Sequence, residues 1–395
     1  MRGIALGRQL RPEFVERLLR ADPGLQNSFG AAQTYDAVIL AALAAEAARS
    51  DYPGRLAAQL VGVSAEGELC ETYKRCLERV QRSMGSDYEG VSSSTTLDKA
   101  GDLSSAEFDT VEVASNGSLT RVGEIGVNSN SPGTPDVRFN ALSGPTGNGV
   151  LNIALMISTA PQYSDLTRAA RAGAKAAIDE INEYIPPIGA QISLSEVDTA
   201  DGSPQAVTAA TNQLINDGVD VVIGGVSGTV DAVAIPPLIQ AGLVVIGTLH
   251  ADRPSQPIVD LGRYFQLTAA PAMRSQAVAQ LMTTDGYTRI AVMSSADPTS
   301  SASAAETTFD LTLRGATLVP SAIFNPASGS DGANLLVAQI VSSQAQAVLI
   351  TCPPDQAAVI AKAFIAAGKT PLTFGMYGTS ANMTTEFFEA VGEGS

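Results

Sequence analysis

Hydrophobic and polar positions along the chain fall into a repeated helix-then-strand rhythm. From Ala206 to Asp217 the apolar residues sit at helical spacing and the pattern stops at Gly218. Val219-Asp-Val-Val-Ile-Gly-Gly follows as a short β-branched strand, then the polar turn Val226-Ser-Gly-Thr. A second helix is predicted from Val230, with Pro236 and Pro237 near its start or kinking it, and Ala241-Gly-Leu-Val-Val-Ile-Gly is the next strand. The unit recurs downstream. Ala333 to Gln344 predicts a helix, Ala347 to Cys352 a strand, and Gln356 to Ala367 a helix ending at Gly368. Leu151 to Ile157 and Arg289 to Met293 are further strands of the buried type. Near-continuous apolar strands alternating with helices predict parallel sheets covered on both faces, and two such series predict an α/β protein of two lobes.

The flanking segments differ. Phe14 to Arg20 and Thr34 to Ala48 are predicted helices, the second so rich in Ala and Leu that it must be mostly buried. Tyr88 to Val127 holds short alternating segments such as Phe108-Asp-Thr-Val-Glu-Val, broken by turn residues, and predicts linked β-strands. Asn128 to Gly149 is rich in Asn, Ser, Pro and Gly without periodicity and is expected to be a linker.

Composition narrows the function. The 395 residues are 45% hydrophobic and 16% charged, with a formal net charge of −16. That length suits two lobes, and the apolar fraction suffices for large cores. The acidic balance opposes nucleic-acid binding, because phosphates are repelled. One His and three Cys are too few for a structural zinc site, and no metal or other cofactor is expected. No apolar run is long enough to span a membrane. Met1-Arg-Gly-Ile-Ala-Leu-Gly is too short for a signal peptide and is followed at once by Arg8 and Arg11. Cys70 and Cys76 bracket a short polar segment, which fits either a local disulfide or two reduced thiols. Cys352, in an apolar strand, is expected as a buried small hydrophobe.

Specific residues then suggest a family. Thr34-Tyr-Asp-Ala-Val-Ile-Leu-Ala-Ala-Leu-Ala resembles a helix of type I periplasmic solute-binding proteins, the branched-chain amino-acid class of ABC transporters. The segment with Cys70 and Cys76, followed by Asp87-Tyr-Glu-Gly-Val-Ser, is similar to that family's small disulfide loop and next strand. Both belong to the family's C-terminal third. Leu151 onward resembles its N-terminal start, with Arg171-Ala-Gly-Ala-Lys-Ala-Ala-Ile-Asp-Glu-Ile-Asn as first helix, and Val219 to Ala251 is similar to its strand, Ser-bearing turn, helix and strand. The order is swapped. The chain looks circularly permuted, with 128–149 joining the old C-terminus to the old N-terminus; a fragment of two tandem copies would look the same.

The resemblance implies two Rossmann-like lobes with a ligand cleft between them. Lobe 1 is expected over 11–90 and 150–267, and lobe 2 over 1–10, 91–127 and 268–395. It also implies a Cys70–Cys76 disulfide. In open parallel sheets, ligands lie beyond the carboxyl ends of strands, where loops and helix N-termini offer backbone N–H groups. Ser227, Gly228 and Thr229 occupy such a turn, and Ser227 matches the family's binding serine; N-capping of the next helix is the plainer role. Thr248, Leu249 and His250 end the following strand. The family's Thr is replaced there by Ala251, and His250 is as consistent with a surface residue as with a ligand contact or pH sensor. Gln162 and Tyr163 follow the first strand. From the second lobe come Asp297, Cys352 and Tyr377. Tyr377 lies near the family's ammonium-binding acid, for which Asp297 or Asp355 would have to substitute.

The expected function is capture of a small amino-acid-like or carboxylate ligand and its delivery to an ABC transporter permease. The protein would be an extracytoplasmic monomer acting by hinge closure. Two other classes compete. A sensory receptor domain of this fold would be joined to a membrane or signalling segment. An α/β enzyme would need a catalytic pair or cofactor fingerprint; no G-x-S-x-G occurs, and Gly144-Pro-Thr-Gly-Asn-Gly lacks the strand and Lys-Ser/Thr of a phosphate loop.

Overall fold

The structure, a computed structural model, describes all residues except 8, 26–27, 29, 114–118, 130–144, 185–191, 249–259, 372, 380–386, 388–389 and 393–395. The first elements are β1 (Arg2–Leu6), α1 (Pro12–Ala21), α2 (Ala31–Ala48), α3 (Pro53–Ala65), β2 (Glu68–Cys70), α4 (Tyr73–Gln81), β3 (Ser86–Tyr88), β4 (Ser105–Val113) and β5 (Leu119–Asn128). A middle series holds β6 (Asn152–Ile157), α5 (Ser164–Asn182), β7 (Ser193–Asp198), α6 (Pro204–Asn216), β8 (Val221–Gly224), α7 (Gly228–Gln240), β9 (Val244–Gly247) and β10 (Tyr264–Gln266). The last series holds α8 (Pro271–Thr284), β11 (Arg289–Ser295), α9 (Pro298–Leu313), β12 (Thr317–Leu318), β13 (Ala322–Phe324), α10 (Gly329–Ser342), β14 (Ala347–Ile350), α11 (Pro354–Ala366) and β15 (Gly375–Gly378).

The chain divides into two units. The larger comprises Leu10–Ser105 and Ser129–Ala270; the smaller comprises Met1–Gln9, Ala106–Asn128 and Pro271–Ser395.

In the larger unit a parallel sheet runs in the order β10-β9-β8-β6-β7. Helix α2 is buried over Ala31–Ala45 because it carries a single ionisable acid there, Asp36, and is otherwise apolar on nearly every side; it packs against α3, α4 and α5. Asp36 is fully buried and accepts hydrogen bonds from the Tyr88 hydroxyl (2.7 Å), the Val91 N–H (3.0 Å), and both the N–H (2.9 Å) and hydroxyl (2.6 Å) of Ser92. Burial raises its pKa while these donors pull the other way. The same bonds explain why 91–105 sits in the larger unit and not, as expected, with 1–10. Leu97 N–H adds a bond to Ser64 Oγ at 3.2 Å. A disulfide joins Cys70 to Cys76, tying β2 to α4.

In the smaller unit an eight-stranded sheet runs β12-β11-β14-β15-β1-β4-β5, with β13 also paired to β11. Strand β1 is parallel to β15, with Arg2 opposite Tyr377, and antiparallel to β4, with Ile4 opposite Thr110. Helices α10 and α11 pack together, and their core holds Met1, Phe364, Phe387 and Val391.

Two local expectations change. Helix α7 begins at Gly228, so Pro236 and Pro237 lie in its second half and leave the Ala232 and Val233 carbonyls, in mid-helix, without an i+4 donor. Within Tyr88–Val127 the named strands after Tyr88 begin at Ser105; the stretch before it is set largely by side-chain hydrogen bonds. Most of the expected linker lies outside the described residues.

Candidate functional site

The carboxyl ends of β6, β8 and β9 lie side by side in one sheet. The register pairs Ile223 with Ile246, so Thr248, two residues beyond, is level with Gly225. Gly224 and Gly225 have φ of 124° and 94°, and a Cβ on either would collide, with the Met156 carbonyl or the Asp231 carboxylate. Only glycine lets the chain turn here from strand into helix.

That turn delivers Ser227 to the N-cap of α7. Its Oγ accepts the Val230 N–H at 3.4 Å and lies 2.9 Å from Thr229 Oγ1. The plainer capping role is thus real, though the bond is long. Gly228 and Thr229 form the first turn of α7, whose N-terminal N–H groups favour negative charge. On the neighbouring strand end, Thr248 is 1% exposed, and among the described residues its hydroxyl has no hydrogen-bond partner. A buried hydroxyl left unpaired costs about 1–3 kcal/mol.

Tyr163 lies on the short turn Pro161–Tyr163 after β6 and packs, half-buried, on the apolar cluster containing Met156, Val226 and Val230. Gln162 shares that turn. Leu249 and His250 lie outside the described residues. The larger unit therefore brings together Ser227, Gly228, Thr229 and Thr248 on adjacent strand ends of one sheet.

In the smaller unit, β11 and β14 end beside each other. Asp297 caps α9: its carboxylate accepts the Ser300 N–H at 2.9 Å and the Ser295 hydroxyl. Burial opposes its ionisation, yet these bonds hold its pKa below the ordinary value. Cys352 is a reduced, buried thiol directed at the Met293 carbonyl, 3.8 Å away, and burial pushes its pKa up to about 12. It behaves as the expected small hydrophobe.

Tyr377 is placed differently from its expected role. Its side chain is buried in the sheet, edge-on to Tyr287, and its hydroxyl donates to Asp285, which also pairs with Arg2 at 2.5 Å. Asp285 and Tyr287 lie just ahead of β11, at the amino ends of the strands, so the Tyr377 hydroxyl is committed away from their carboxyl ends. Pairing with an acid 92 residues away left no signal in the local pattern.

One group escaped the sequence reading. In the first turn of α11, beyond the end of β14, the amide oxygen of Gln356 is buried without a partner among the described residues. Its only signal was a polar residue directly after a strand and a Pro-Pro turn. Among the described residues no cluster of three or more His, Cys, Asp or Glu side chains is placed to hold a metal ion.

The parallel sheet of the larger unit thus carries hydroxyls and a helix N-terminus at its carboxyl edge. The family model for periplasmic binding proteins matches residues 151–393, and the chain belongs to that family. Its architecture is the type I periplasmic binding protein fold. A solved structure described as a putative branched-chain amino acid ABC transporter from Rhodospirillum rubrum shares 20% identity at a TM-score of 0.51, covering 62% of this chain and 68% of that one. An ABC transporter substrate-binding protein from Desulfitobacterium hafniense, in complex with Leu, shares 16% identity at 0.49, covering 60% and 68%. A solute-binding protein of an ABC transporter from R. palustris, in complex with benzoate, shares 19% at 0.45, covering 60% and 63%. The chain thus spans about two thirds of the length of these structures. No curated protein matches it. Among the described residues no helix is long and apolar enough to cross a membrane.

Proposed function

We propose that this protein is an extracytoplasmic solute-binding component that captures a small carboxylate and hands it to an ABC transporter permease without chemical change. The buried, unpartnered Thr248 hydroxyl carries this reading, because it lies on the strand end adjoining the Ser227–Thr229 turn. A carboxylate held over the α7 N-terminus gains the helix field and the free N–H groups of its first turn. One of its oxygens would accept from Thr248, satisfying that hydroxyl. Ser227 and Thr229 supply further hydroxyls, and Tyr163 offers flat apolar surface.

An amino acid is a weaker fit than a simple carboxylate. Tyr377 stands near the family's acidic position with its hydroxyl taken, and Asp297 is occupied as a cap. A buried ammonium without a counter-charge costs several kcal/mol. Benzoate, the form bound by the R. palustris protein, is therefore a better first probe than leucine.

Calorimetric titration with benzoate, 4-hydroxybenzoate, aliphatic acids and the branched-chain amino acids decides between them. Micromolar binding of an acid, about −8 kcal/mol, is expected. Leucine, isoleucine or valine binding at that level with silence from the acids would refute the carboxylate assignment. Turnover of any of these compounds would refute the non-enzymatic reading.

A further inference from the structure

Helix α9 has an apolar face that the fold leaves uncovered. Its core side is Ser300, Thr307 and Leu311. On the opposite side Ala302, Ala305, Phe309 and Leu313 follow one another at spacings of three, four and four, which makes one stripe along the helix. All four are exposed, Phe309 at 64% and Leu313 at 67%. The Thr312 hydroxyl beside them donates to the Thr308 carbonyl (2.8 Å) and is satisfied within the helix. Glu306 and Arg314 turn aside to Ser275 (3.3 Å) and Gln280 (3.4 Å) of α8, and Asp310 follows Glu306 on that flank. The stripe therefore carries no charge, in a chain of net charge −16.

Apolar surface continues on the sheet edge. In β13, Ala322 and Phe324 pack toward α10 and α11, so Ile323 between them faces the other side, where it is 64% exposed. Among the described residues α9 adds nothing to that α10–α11 core; it packs on β11 and β12 from the side that Ile323 faces. Single exposed apolar residues are ordinary, but a continuous stripe marks an interaction surface.

The stripe selects its occupant by a gradient of size. Its first half is small (Ala302, Ala305) and its second half large (Phe309, Leu313). A second α9 laid antiparallel across it, with the two-fold axis midway between Ala305 and Phe309, sets each Phe309 beside the other copy's Ala305. Each Leu313 then lies beside the other copy's Ala302, so every bulge meets a hollow. A partner recruited by charge would find none on the stripe. Two copies of so acidic a chain repel each other elsewhere, and this uncharged face is where they can approach.

We propose that two copies of this chain associate through antiparallel α9 helices, in place of the monomer expected from the sequence. The helix has 16 residues and is about 24 Å long. One such seam covers less than the roughly 800 Å² per partner of a stable complex, so the dimer is weak and forms as concentration rises.

Sedimentation equilibrium of the whole chain, from micromolar to millimolar concentration, tests it. A monomer–dimer equilibrium is expected, strengthened by salt as like-charge repulsion is screened. Phe309→Lys/Leu313→Lys should weaken it at least tenfold. Val15→Lys/Leu19→Lys, the same change at exposed positions of α1, should not. Both variants make the chain less acidic by the same amount, so repulsion alone would strengthen association in each. Ala305→Phe adds apolar surface but fills the hollow, and it too should weaken the dimer at least tenfold, whereas nonspecific adhesion would grow. A chain that stays monomeric throughout leaves the stripe to some other partner and overturns the proposal. So does a dimer that survives the α9 double variant, is lost equally in the α1 variant, or is strengthened by Ala305→Phe.

Discussion

Oδ1 of Asp51 accepts the backbone N–H of Gly149 at 3.0 Å, across 98 positions of the chain. Its Oδ2 accepts the Asn148 N–H at 2.8 Å, and the Ser50 hydroxyl donates to the Thr146 carbonyl at 2.9 Å. The residues just ahead of β6 are thereby fastened to the end of α2. Asp51 is 2% exposed, and its removal would take the acceptor from two part-buried backbone donors. Asp51→Ala should cost about 2–3 kcal/mol, and Asp51→Asn less because one acceptor survives. Urea denaturation measures both, and a near-neutral Ala variant would show that water replaces the carboxylate.

The first and last strands pair in one sheet. Strand β15 leads to a segment that includes the buried Phe387 and Val391, and these share a core cluster with Met1 at the head of β1. Strand β1 is parallel to β15 and beside it. Parallel pairing of the first strand with the last is what a permuted order would leave, and a Ser395–Met1 bond would restore the continuous order. A chain with that bond made and a new opening between residues 134 and 135 should fold with unchanged affinity. Opening at 147 should cost the Asp51 contacts and about 2 kcal/mol more. An insoluble first variant would end the permutation reading.

Much of this architecture was legible from local pattern. The β-branched runs at Val219, Ala241, Ala347 and Leu151 became parallel strands because such runs have few other ways to bury both faces. Helix α2 announced its burial by lacking charge. Legibility ended where one polar group decides the outcome at long range. Asp36 draws 91–92 onto α2 from 55 positions away, and Asp285 takes Tyr377 from 92 away. Nothing in the spacing of either segment encodes such a partner. The Ser227 turn was visible because strand, glycines and helix are contiguous; the orphaned Thr248 hydroxyl depends on all that surrounds it.

Asp220 makes stability depend on pH. Burial raises its pKa to about 6, assisted by the Asp51 charge and opposed by the N–H and amide donors of Asn152. Below the ordinary carboxylate value both folded and unfolded chains are protonated. Between about 4 and 6 the unfolded chain ionises first, so stability falls as pH rises, and above 6 the penalty is complete. Allowing for solvent screening, the penalty is about 1–2 kcal/mol. Asp220→Asn should therefore gain about 1 kcal/mol at pH 7.5 and nothing near pH 4. Paired denaturation curves at the two values check the sign.

Tyr377→Phe separates structure from binding. The hydroxyl serves Asp285, whose other partner, Arg2, remains. The substitution should lower stability by about 1 kcal/mol while leaving carboxylate affinity within twofold. A tenfold loss of affinity at unchanged stability would return Tyr377 to the ligand site.

Thr248→Val should move stability and affinity in opposite directions. The change preserves shape and removes a buried hydroxyl that has no partner, so the ligand-free protein should gain about 1 kcal/mol. The bound carboxylate loses one donor in a desolvated place, and its affinity should fall about tenfold, or 1.4 kcal/mol. Ser227→Ala provides the contrast: it removes a helix cap as well as a donor, so both quantities should fall, stability by about 1 kcal/mol. Thermal denaturation without ligand and calorimetry with benzoate yield the four numbers. A Thr248 variant less stable than its parent would mean that the hydroxyl has a partner in the resting protein, and the case for a ligand there would fail.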